Sequence, residues 1–452
     1  MEQSIPNRAP LFDRRALLGL IIPLIIEQFL AMMVGLADTV MITSVGEAAV
    51  SGVALVDTVN TLIIQILAAL TSGGAVVAAQ YIGRGDRKNA SSAGKQLLYL
   101  AVFSCMVIAA VVFVANQSLL HLIFGSIDPE VMEHASKYLL LTALSFPFLA
   151  AYNSCAALFR AMGNSRVSML ASLLMNVINI GGNAILIYGF GLGTTGAGIA
   201  TLVSRAVSAV LMLALIRNMA NPIYLRDLRH VRFSGAMVKN ILRIGIPSGV
   251  ENGLFQAGKL ILQSLIAGLG TAAIAANAIS DTIARLELVP GSAMNLSMIT
   301  VVGQCMGAGE QQQAKKYTGK LLLFASAGLF LSCFPILLFG TQVAGWFHLS
   351  EEATATVVKL LPVVSIMQIL IWPLSFTFPN ALRAAGDAKF TMVISMISMW
   401  VLRIGLGYVF VTQFHLGVPG VWYAMYCDWA FRALCFTLRF LSGKWSKKRV
   451  IA

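Results

Sequence analysis

Long apolar stretches separated by short polar loops recur along the whole chain. Each stretch has roughly 20 residues or more, the length that an α-helix needs to cross the hydrocarbon core of a bilayer. The second and eighth stretches are longer, so we expect these helices to tilt or to extend beyond the membrane. The pattern predicts twelve transmembrane helices, at 17–44, 48–80, 92–116, 135–159, 167–189, 196–216, 240–267, 272–303, 318–341, 356–381, 390–413 and 418–441.

The second half of this pattern repeats the first at an offset of 224 residues, with one region at 223. A repeat of this length is far longer than a solenoid unit. It indicates two fused copies of one six-helix lobe, which is the architecture of secondary transporters. The matched residues are Pro23 and Pro247, Glu27 and Glu251, Asp57 and Asp281, Gln80 and Gln304, Gly83 and Gly307, Gly85 and Gly309, and Arg160 and Arg383.

The repeat predicts an all-α integral membrane fold with two pseudo-symmetric lobes. We expect the N-lobe at residues 1–220 with helices 1–6, and the C-lobe at residues 240–452 with helices 7–12. A basic cytoplasmic linker at 221–239 joins them. Because six is an even number, both lobes enter the membrane from the same side and are parallel repeats. The cleft between them is the natural place for a transport pathway.

The composition excludes a soluble protein, since 58% of the residues are hydrophobic and 11% are charged, against about 25% charged residues in soluble domains. Basic residues concentrate in alternate loops, so the positive-inside rule places both termini in the cytoplasm. We expect a multi-pass protein of the bacterial inner membrane that acts as a monomer. The net charge of +13 is then a signal of topology and of contact with membrane lipid, and we expect no nucleic-acid partner.

Neither the cysteines nor the histidines form a pattern that indicates a metal site or catalysis. The six cysteines lie in apolar segments and lack CxxC spacing, so they are typical of small core residues. The five histidines lie in loops or at helix ends, and no HExxH motif is present. We therefore expect no enzyme activity and no cofactor.

Ionisable residues inside the predicted helices are candidates for function, because a charge at mid-membrane costs roughly 2.5–3.5 kcal/mol on insertion scales. Asp428 and Arg432 lie one helical turn apart, which favours a structural ion pair. Asp281 and Arg285 have the same spacing, and for them ion pairing and function are both open. The acids are Glu27, Asp38, Asp57, Glu251, Asp281, Glu287 and Asp428, and the bases are Arg205, Lys259, Arg285, Arg403 and Arg432.

Asp38 is the strongest candidate for ion coupling. It has no basic residue at i±3 or i±4, and a carboxyl group in a membrane can avoid its desolvation cost by binding a proton. The structural alternative is a carboxylate bonded to neighbouring backbone or hydroxyl groups. Glu27 lies eleven residues earlier, about three helical turns, so both carboxyl groups could line one cavity at different depths.

Two polar stripes run along predicted helices. In helix 7, Asn252, Gln256, Lys259 and Gln263 share one face, and Glu251 lies beside it. A polar face within a membrane contacts water, a ligand or polar partners, or it holds helices together through hydrogen bonds. The second stripe lies in helix 5, at i, i+3 and i+7, and consists of Asn176, Asn179 and Asn183.

Several segments together are similar to the multidrug and toxic compound extrusion (MATE) family. The pattern P-x(14)-D-T-V, from Pro23 to Asp38, resembles that family's first helix. The segments QYIGRGD and QCMGAGE resemble its paired loop signature, and FRAMGNS and LRAAGDA resemble its R-x-x-G segments after helices 4 and 10. The segment NVINIGGNAILIYGFGLGTTGAGIAT resembles its helix 5–6 region. The combination is specific, although each piece alone is weak.

The resemblance implies two six-helix lobes around a V-shaped cleft, and export of organic compounds against an inward flow of protons or sodium. It implies a proton site at Asp38, to which Asn179 also belongs, while the second acid of that site is replaced by Asn183. Glu251 corresponds to an acid that many sodium-coupled members use, but the partner acid in helix 10 is absent here. We expect the proton to be the coupling ion, with sodium, bound at Glu251, as the alternative.

The predicted sites follow from these residues. We expect ion coupling to involve Asp38, Glu27, Asn176, Asn179, Asn183 and Glu251. The helices contain seven acids and five bases, which favours a small organic cation as the substrate. We expect its site to be formed by Asp57, Asp281, Gln256, Lys259, Asn252 and Arg403.

Other functions fit the sequence less well. A lipid-linked precursor flippase of the same wider superfamily would be expected to have a more cationic cleft and often extra helices. A membrane enzyme or receptor would need a catalytic constellation that we do not find. A major-facilitator transporter also has six plus six helices, but its loop after helix 2 needs a fuller G-x(3)-D-R-x-G-R pattern than GRGDRK supplies.

Overall fold

The fold is all-helical throughout the part of the chain that the structure describes. The structure is a computed structural model, and it describes residues 9–125, 128–228, 233–347, 349–448 and 450–451. The described residues do not include 229–232 of the predicted linker, which contain His230, and they do not include His348. The prediction of an all-α fold is confirmed.

Six long helices form the N-lobe, as predicted. Each of them, the fifth taken together with the π-helical segment that continues it, is longer than its apolar stretch because it extends into polar residues at one or both ends. Helix α5 continues into a π-helical segment, Ala184–Gly189. The helices are α1 (Arg14–Thr43), α2 (Glu47–Gly83), α3 (Arg87–Phe124), α4 (Pro129–Ala161), α5 (Ser165–Asn183) and α6 (Gly193–Ile216).

The C-lobe contains six spans that are divided into more helical pieces. Helix α7 begins at Gly235, inside the predicted linker. π-Helical segments, Pro373–Thr377 and Ser398–Gly405, join α11 to α12 and α13 to α14. The helices are α7 (Gly235–Ala267), α8 (Thr271–Glu287), α9 (Val289–Gly307), α10 (Gln311–Gly345), α11 (Glu351–Leu370), α12 (Phe378–Ala384), α13 (Ala388–Ile397), α14 (Leu406–Thr412) and α15 (Gly417–Leu441).

Within the described ranges, nine helices are long and apolar enough to cross a membrane, and the bent pair α8–α9 makes a tenth span. The remaining two of the twelve predicted spans are α7 and α15. Both are long enough to cross, with 33 and 25 residues, but they carry charged residues such as Glu251, Lys259, Asp428 and Arg432. The exposed faces of the other helices carry large apolar side chains, as lipid contact requires.

The eighth helix was predicted to be continuous over 272–303, and this is wrong. Helices α8 and α9 meet at Leu288 with a bend of 49°. Pro290 lies in the first turn of α9. If α8 continued into α9 as one helix, the missing N–H of Pro290 would remove a helical hydrogen bond and its ring would crowd the preceding turn. The bend places the buried Glu287 at the junction of the two helices.

The two lobes touch through the same motif of each repeat. Gln80, near the end of α2, donates from Nε2 to the carbonyl oxygen of Ala384 at 2.7 Å. Gln304, its repeat equivalent in α9, donates in the same way to Ala161 at 2.7 Å. We call this pair of reciprocal contacts the glutamine clasp. It lies at the end of the lobes where α2 and α9 finish.

Glycine is required at the centre of the glutamine clasp. A Cβ atom at Gly83 would lie 1.9 Å from the carbonyl oxygen of Gln304, and one at Gly307 would lie 1.9 Å from that of Gln80. These neighbours are backbone atoms and cannot move aside as a flexible side chain can. The clasp is therefore a close approach of two backbones.

We expect Gly83→Ala to destabilise the protein by about 1–3 kcal/mol, the usual cost of an overpacked contact. Gly319→Ala is the matched control, because a Cβ at this helical position meets nothing within 4 Å and alanine is the better helix former. Thermal unfolding of the two variants in detergent would test this. Equal melting temperatures for Gly83→Ala and the wild type would contradict a tight backbone contact.

Candidate transport site

A buried ion pair occurs at equivalent positions in the two lobes. In the N-lobe, Arg160 Nη1 lies 2.8 Å from Glu27 Oε1, and the Ser168 hydroxyl donates to the other oxygen at 2.6 Å. In the C-lobe, Arg383 Nη2 lies 2.6 Å from Glu251 Oε2. The carboxylates of Glu27 and Glu251 therefore each have a positive partner already, which the sequence analysis did not anticipate.

The ion pairs and the glutamine clasp share short segments of chain. Arg160 directly precedes Ala161, which accepts from Gln304, and Arg383 directly precedes Ala384, which accepts from Gln80. Helices α1 and α7, which carry the two glutamates, are thereby connected to the contact between the lobes. Farther along these helices lie the residues predicted to bind ions and substrate.

Asp38 has a different environment from Glu27. The amide nitrogen Nδ2 of Asn183 donates to Asp38 Oδ1 at 2.6 Å, and Arg205 and Asp57 are close enough to act on Asp38 electrostatically. Asn179 Nδ2 donates to the hydroxyl of Thr201 at 3.3 Å. Of the predicted stripe, Asn183 therefore bonds to Asp38, and Asn179 bonds to α6.

Three buried polar atoms of the asparagine stripe on α5 lack a hydrogen-bond partner among the described residues. In the described part of the chain, Oδ1 of Asn179 and Oδ1 of Asn183 have no hydrogen-bond partner, and Nδ2 of Asn176 has none either. An unpaired buried polar atom costs free energy, so each of these atoms is a candidate to bind an ion, water or ligand. All three asparagine side chains are buried.

Asp57 borders a cavity of about 310 Å³ on the N-lobe side, together with Thr58 and Thr61 of α2. It accepts a hydrogen bond from Asn60 Nδ2 at 3.2 Å. Thr58 and Thr61 also line a second cavity of about 380 Å³, between α2 and the C-lobe. The two cavities therefore adjoin each other across these threonines.

The second cavity contains most of the predicted substrate residues. Gln256, Lys259 and Gln263 of the α7 stripe line it, as do Asp281 and Arg403. Asn252, the fourth member of the stripe, does not appear in its lining. The sequence analysis did not single out the apolar and aromatic part of the wall, which includes Leu260, Leu262, Ile266, Val421, Trp422 and Met425.

The predicted pair of Asp428 and Arg432 is confirmed. Arg432 Nε lies 2.7 Å from Asp428 Oδ1, and both side chains are almost fully buried. Arg403 Nη1 is the next cation, at 3.6 Å from Asp428 Oδ2. Asp281 and Arg285 also form a pair, at 2.6 Å, although both are substantially exposed.

The arrangement of two parallel six-helix lobes with a drug-sized cavity between them defines a secondary membrane transporter. A model of the MatE family matches residues 23–185 and again residues 247–409. These two matches correspond to the two repeats and together cover most of the chain. The chain belongs to the MATE family of transporters.

Known proteins of similar sequence and structure agree with this assignment. A probable multidrug resistance protein NorM of Thermotoga maritima is 29% identical over 97% of this chain and 94% of its own length. An outward-facing structure of a multidrug resistance MATE transporter is 24% identical, with a TM-score of 0.88 over 96% of this chain and 97% of that one.

A further structural match is a transporter of the MOP superfamily from Pyrococcus furiosus, described as having a binding pocket of reverse polarity that suggests a different function. It is 23% identical, with a TM-score of 0.89 over 96% of this chain and 97% of that one. At this level of identity, the structural matches establish the fold.

We expect Arg160→Met to destabilise the protein by about 3–5 kcal/mol, because it leaves the Glu27 carboxylate buried without its positive partner. The double variant Arg160→Met with Glu27→Met should recover most of this loss, since it removes both charges. Unfolding in detergent measures both effects.

The control is Lys137→Met, which breaks the exposed pair of Lys137 and Glu133 and should cost at most about 1 kcal/mol. A double variant no more stable than Arg160→Met would argue against the buried ion pair as the reason for the loss.

Proposed function

We propose that this protein is a multidrug efflux antiporter that exports organic cations in exchange for protons. We further propose that it acts as a monomer in the bacterial inner membrane, surrounded by lipid, with both termini in the cytoplasm and without a nucleic-acid partner. Membership of the MATE family and the names of its relatives support the efflux function. The match of that family to both repeats favours this function over the lipid-linked precursor flippase that the sequence left open.

The observation that carries the proposal is the bond between Asp38 and Asn183 in the N-lobe. A carboxylate accepts a charge-assisted hydrogen bond more strongly than a neutral carboxyl group does. Protonation of Asp38 therefore weakens its bond to α5 and alters the packing of α1 against that helix. The same helix α1 is connected through Glu27 and Arg160 to the contact between the lobes.

The proton is the proposed coupling ion because, among the described residues, Asp38 is the carboxylate that bonds to these buried amides, and Asp57 is the one further acid that acts on it. Sodium needs several oxygen ligands arranged together, and the unpaired oxygens of Asn179 and Asn183 make it the specific competitor. Within the described residues, no cluster of three or more histidine, cysteine or acidic side chains could hold a metal ion.

The roles of Glu27 and Glu251 in ion coupling stay predictions. Each carboxylate lies within 2.8 Å of an arginine nitrogen, which compensates its charge without an added cation. The proposal therefore rests on Asp38. We propose that Glu27 connects helix α1, and Glu251 connects helix α7, to the interface between the lobes.

We expect Asp38→Asn to abolish drug export while the protein still folds and inserts. Glu133→Gln, which removes an exposed carboxylate, should leave export unchanged. The measurement is uptake of a cationic dye such as ethidium into proteoliposomes that contain each variant, with a pH gradient and no sodium. Wild-type uptake by Asp38→Asn would refute Asp38 as the coupling group.

The coupling ion is tested separately in the wild-type protein. We expect a pH gradient to drive uptake in the absence of sodium, and a sodium gradient at equal pH to have little effect. Transport that only the sodium gradient drives would overturn proton coupling. It would then favour a sodium site formed by Asp38 and the asparagine oxygens.

A further inference from the structure

The segment that leads into α1 crosses to the opposite lobe. Residues 9–12, which we call the N-terminal strap, lie against the first turns of α10, a helix of the C-lobe. The backbone N–H of Leu11 donates to Gln313 Oε1 at 2.9 Å, and Gln313 Nε2 donates back to the carbonyl oxygen of Ala9 at 3.4 Å. The strap therefore joins the lobes through bonds that are separate from those of the glutamine clasp.

Tyr317 of α10 is the main anchor of this strap. Its hydroxyl accepts from the backbone N–H of Phe12 at 3.1 Å and donates to the carbonyl oxygen of the same residue at 2.6 Å. The two rings pack edge to face with centroids 5.9 Å apart, an arrangement that aromatic pairs prefer. Both side chains are buried, and hydrogen bonds shielded from water are electrostatically stronger than exposed ones.

The strap continues directly into α1. The side chain of Asp13 accepts from the backbone N–H of Ala16 at 2.6 Å and caps the helix, so the chain enters α1 in a fixed conformation. Helix α1 begins at the next residue and carries Glu27 and Asp38. A movement of α1 is therefore transmitted to the strap, and through Tyr317 to the opposite lobe.

The second repeat has a similar contact in the reverse direction. Ser234, directly before α7, donates from its backbone N–H to Gln96 Oε1 of α3 at 3.2 Å. Phe233 packs edge to face against Tyr99 of α3, with centroids 6.1 Å apart. Helices α3 and α10 are repeat counterparts, because they begin at residues 87 and 311. Each lobe is thus bound by the segment that leads into the first helix of the other.

The N-terminal strap lies beside the glutamine clasp. A cavity of about 330 Å³ is lined by Ala9 and Leu11 of the strap, by Gly83 and Gly307 of the clasp, and by Gln313 of α10. In a transporter built from two lobes, the pathway opens to each side in turn because one lobe rocks against the other. When the lobes separate at the end where α2 and α9 finish, the bonds between the strap and α10 have to break.

We propose that the N-terminal strap is a latch, with Tyr317 and Gln313 as its positioning residues, which holds the lobes together at this end and opens once in each transport cycle. The contact before α7 is the weaker of the two, because its bonds, at 3.2 Å from Ser234 and 3.3 Å from the Tyr99 hydroxyl to Leu228, are longer. The inference concerns the conformational cycle, whatever the substrate or the coupling ion, and so goes beyond the proposed function.

Spin-label distances at this end test the latch in the full-length protein. The labels are attached to Lys88→Cys in α3 and Lys316→Cys in α10, two exposed positions in different lobes, with the two cysteines that are not buried replaced by serine. Tyr317→Phe keeps the ring and removes both hydroxyl bonds. We expect it to raise the ratio of separated to joined lobes about tenfold, the effect of one to two hydrogen bonds. Tyr408→Phe, at an exposed tyrosine of α14, should change nothing.

A covalent lock tests whether the latch has to open. In the same serine background, Leu11→Cys and Gln313→Cys are joined by a short bifunctional methanethiosulfonate, because the two residues already meet. We expect the locked protein to lose gradient-driven uptake of ethidium tenfold or more, and reductant to restore it. The pair Glu133→Cys and Lys137→Cys, one turn apart within α4, is the control, and its lock should leave uptake unchanged.

Gln313→Ala is the second variant if Tyr317→Phe does not fold, and it should shift the spin-label distances in the same direction. Unchanged distances in a folded variant, or wild-type uptake by the locked protein, would overturn the inference. The distances are measured without substrate. Failure of the wild type to take up ethidium would therefore contradict the proposed function, and the distances alone would then decide whether the latch exists.

Discussion

The close approach of two backbones at Gly83 and Gly307 is the constraint on which the rest of the architecture depends. The carbonyl oxygens of Gln304 and Gln80 occupy the space where side chains would begin, and the amides of the same glutamines bond to the opposite lobe. This contact joins the lobes at the end where α2 and α9 finish, and the cavities lie farther along α2, at Thr58 and Thr61. It is one part of a longer interface, in which α2 of the N-lobe packs against α7 and α9 of the C-lobe.

The two lobes share the same helical arrangement and the same paired motifs, but their charged side chains differ. The paired motifs, including the buried Glu–Arg pairs, recur in both lobes at nearly constant spacing. Outside these motifs the equivalent positions differ in charge: Asp38 corresponds to Leu262, and Lys259 corresponds to Gly35. The carboxylate that we propose as the coupling group therefore lies in one lobe, and a wall rich in bases lies in the other.

The fold was largely predictable from the sequence because apolar length alone identifies a membrane span. The bend at Pro290 was not, since Pro23, Pro147 and Pro247 lie inside helices that continue through them. A proline in a membrane helix leaves a backbone carbonyl without its hydrogen bond. Whether the helix breaks depends on whether neighbouring groups bond to that carbonyl, and the sequence alone does not show which groups are neighbours. Only the helix count and the approximate bounds follow from the pattern.

Part of the candidate site was also predictable from the sequence. Helical periodicity alone indicated that Gln256, Lys259 and Gln263 share a face, and all three line the cavity. The partners of Glu27 and Glu251 lie more than 130 residues away in sequence, so local spacing could not show them. The only available signal was that both repeats kept an acid and an arginine at matching positions.

The glutamine clasp has the form of an isologous interface, in which each copy of a motif meets the other copy, as between the subunits of a symmetric homodimer. Two identical, separate lobes would carry identical walls, so any acid introduced on one side of the pathway would appear on the other as well. Covalent fusion of the lobes removes that restriction. It allows a twofold contact to persist while one wall becomes acidic and the other basic, a polarity that a pair of identical lobes could not have.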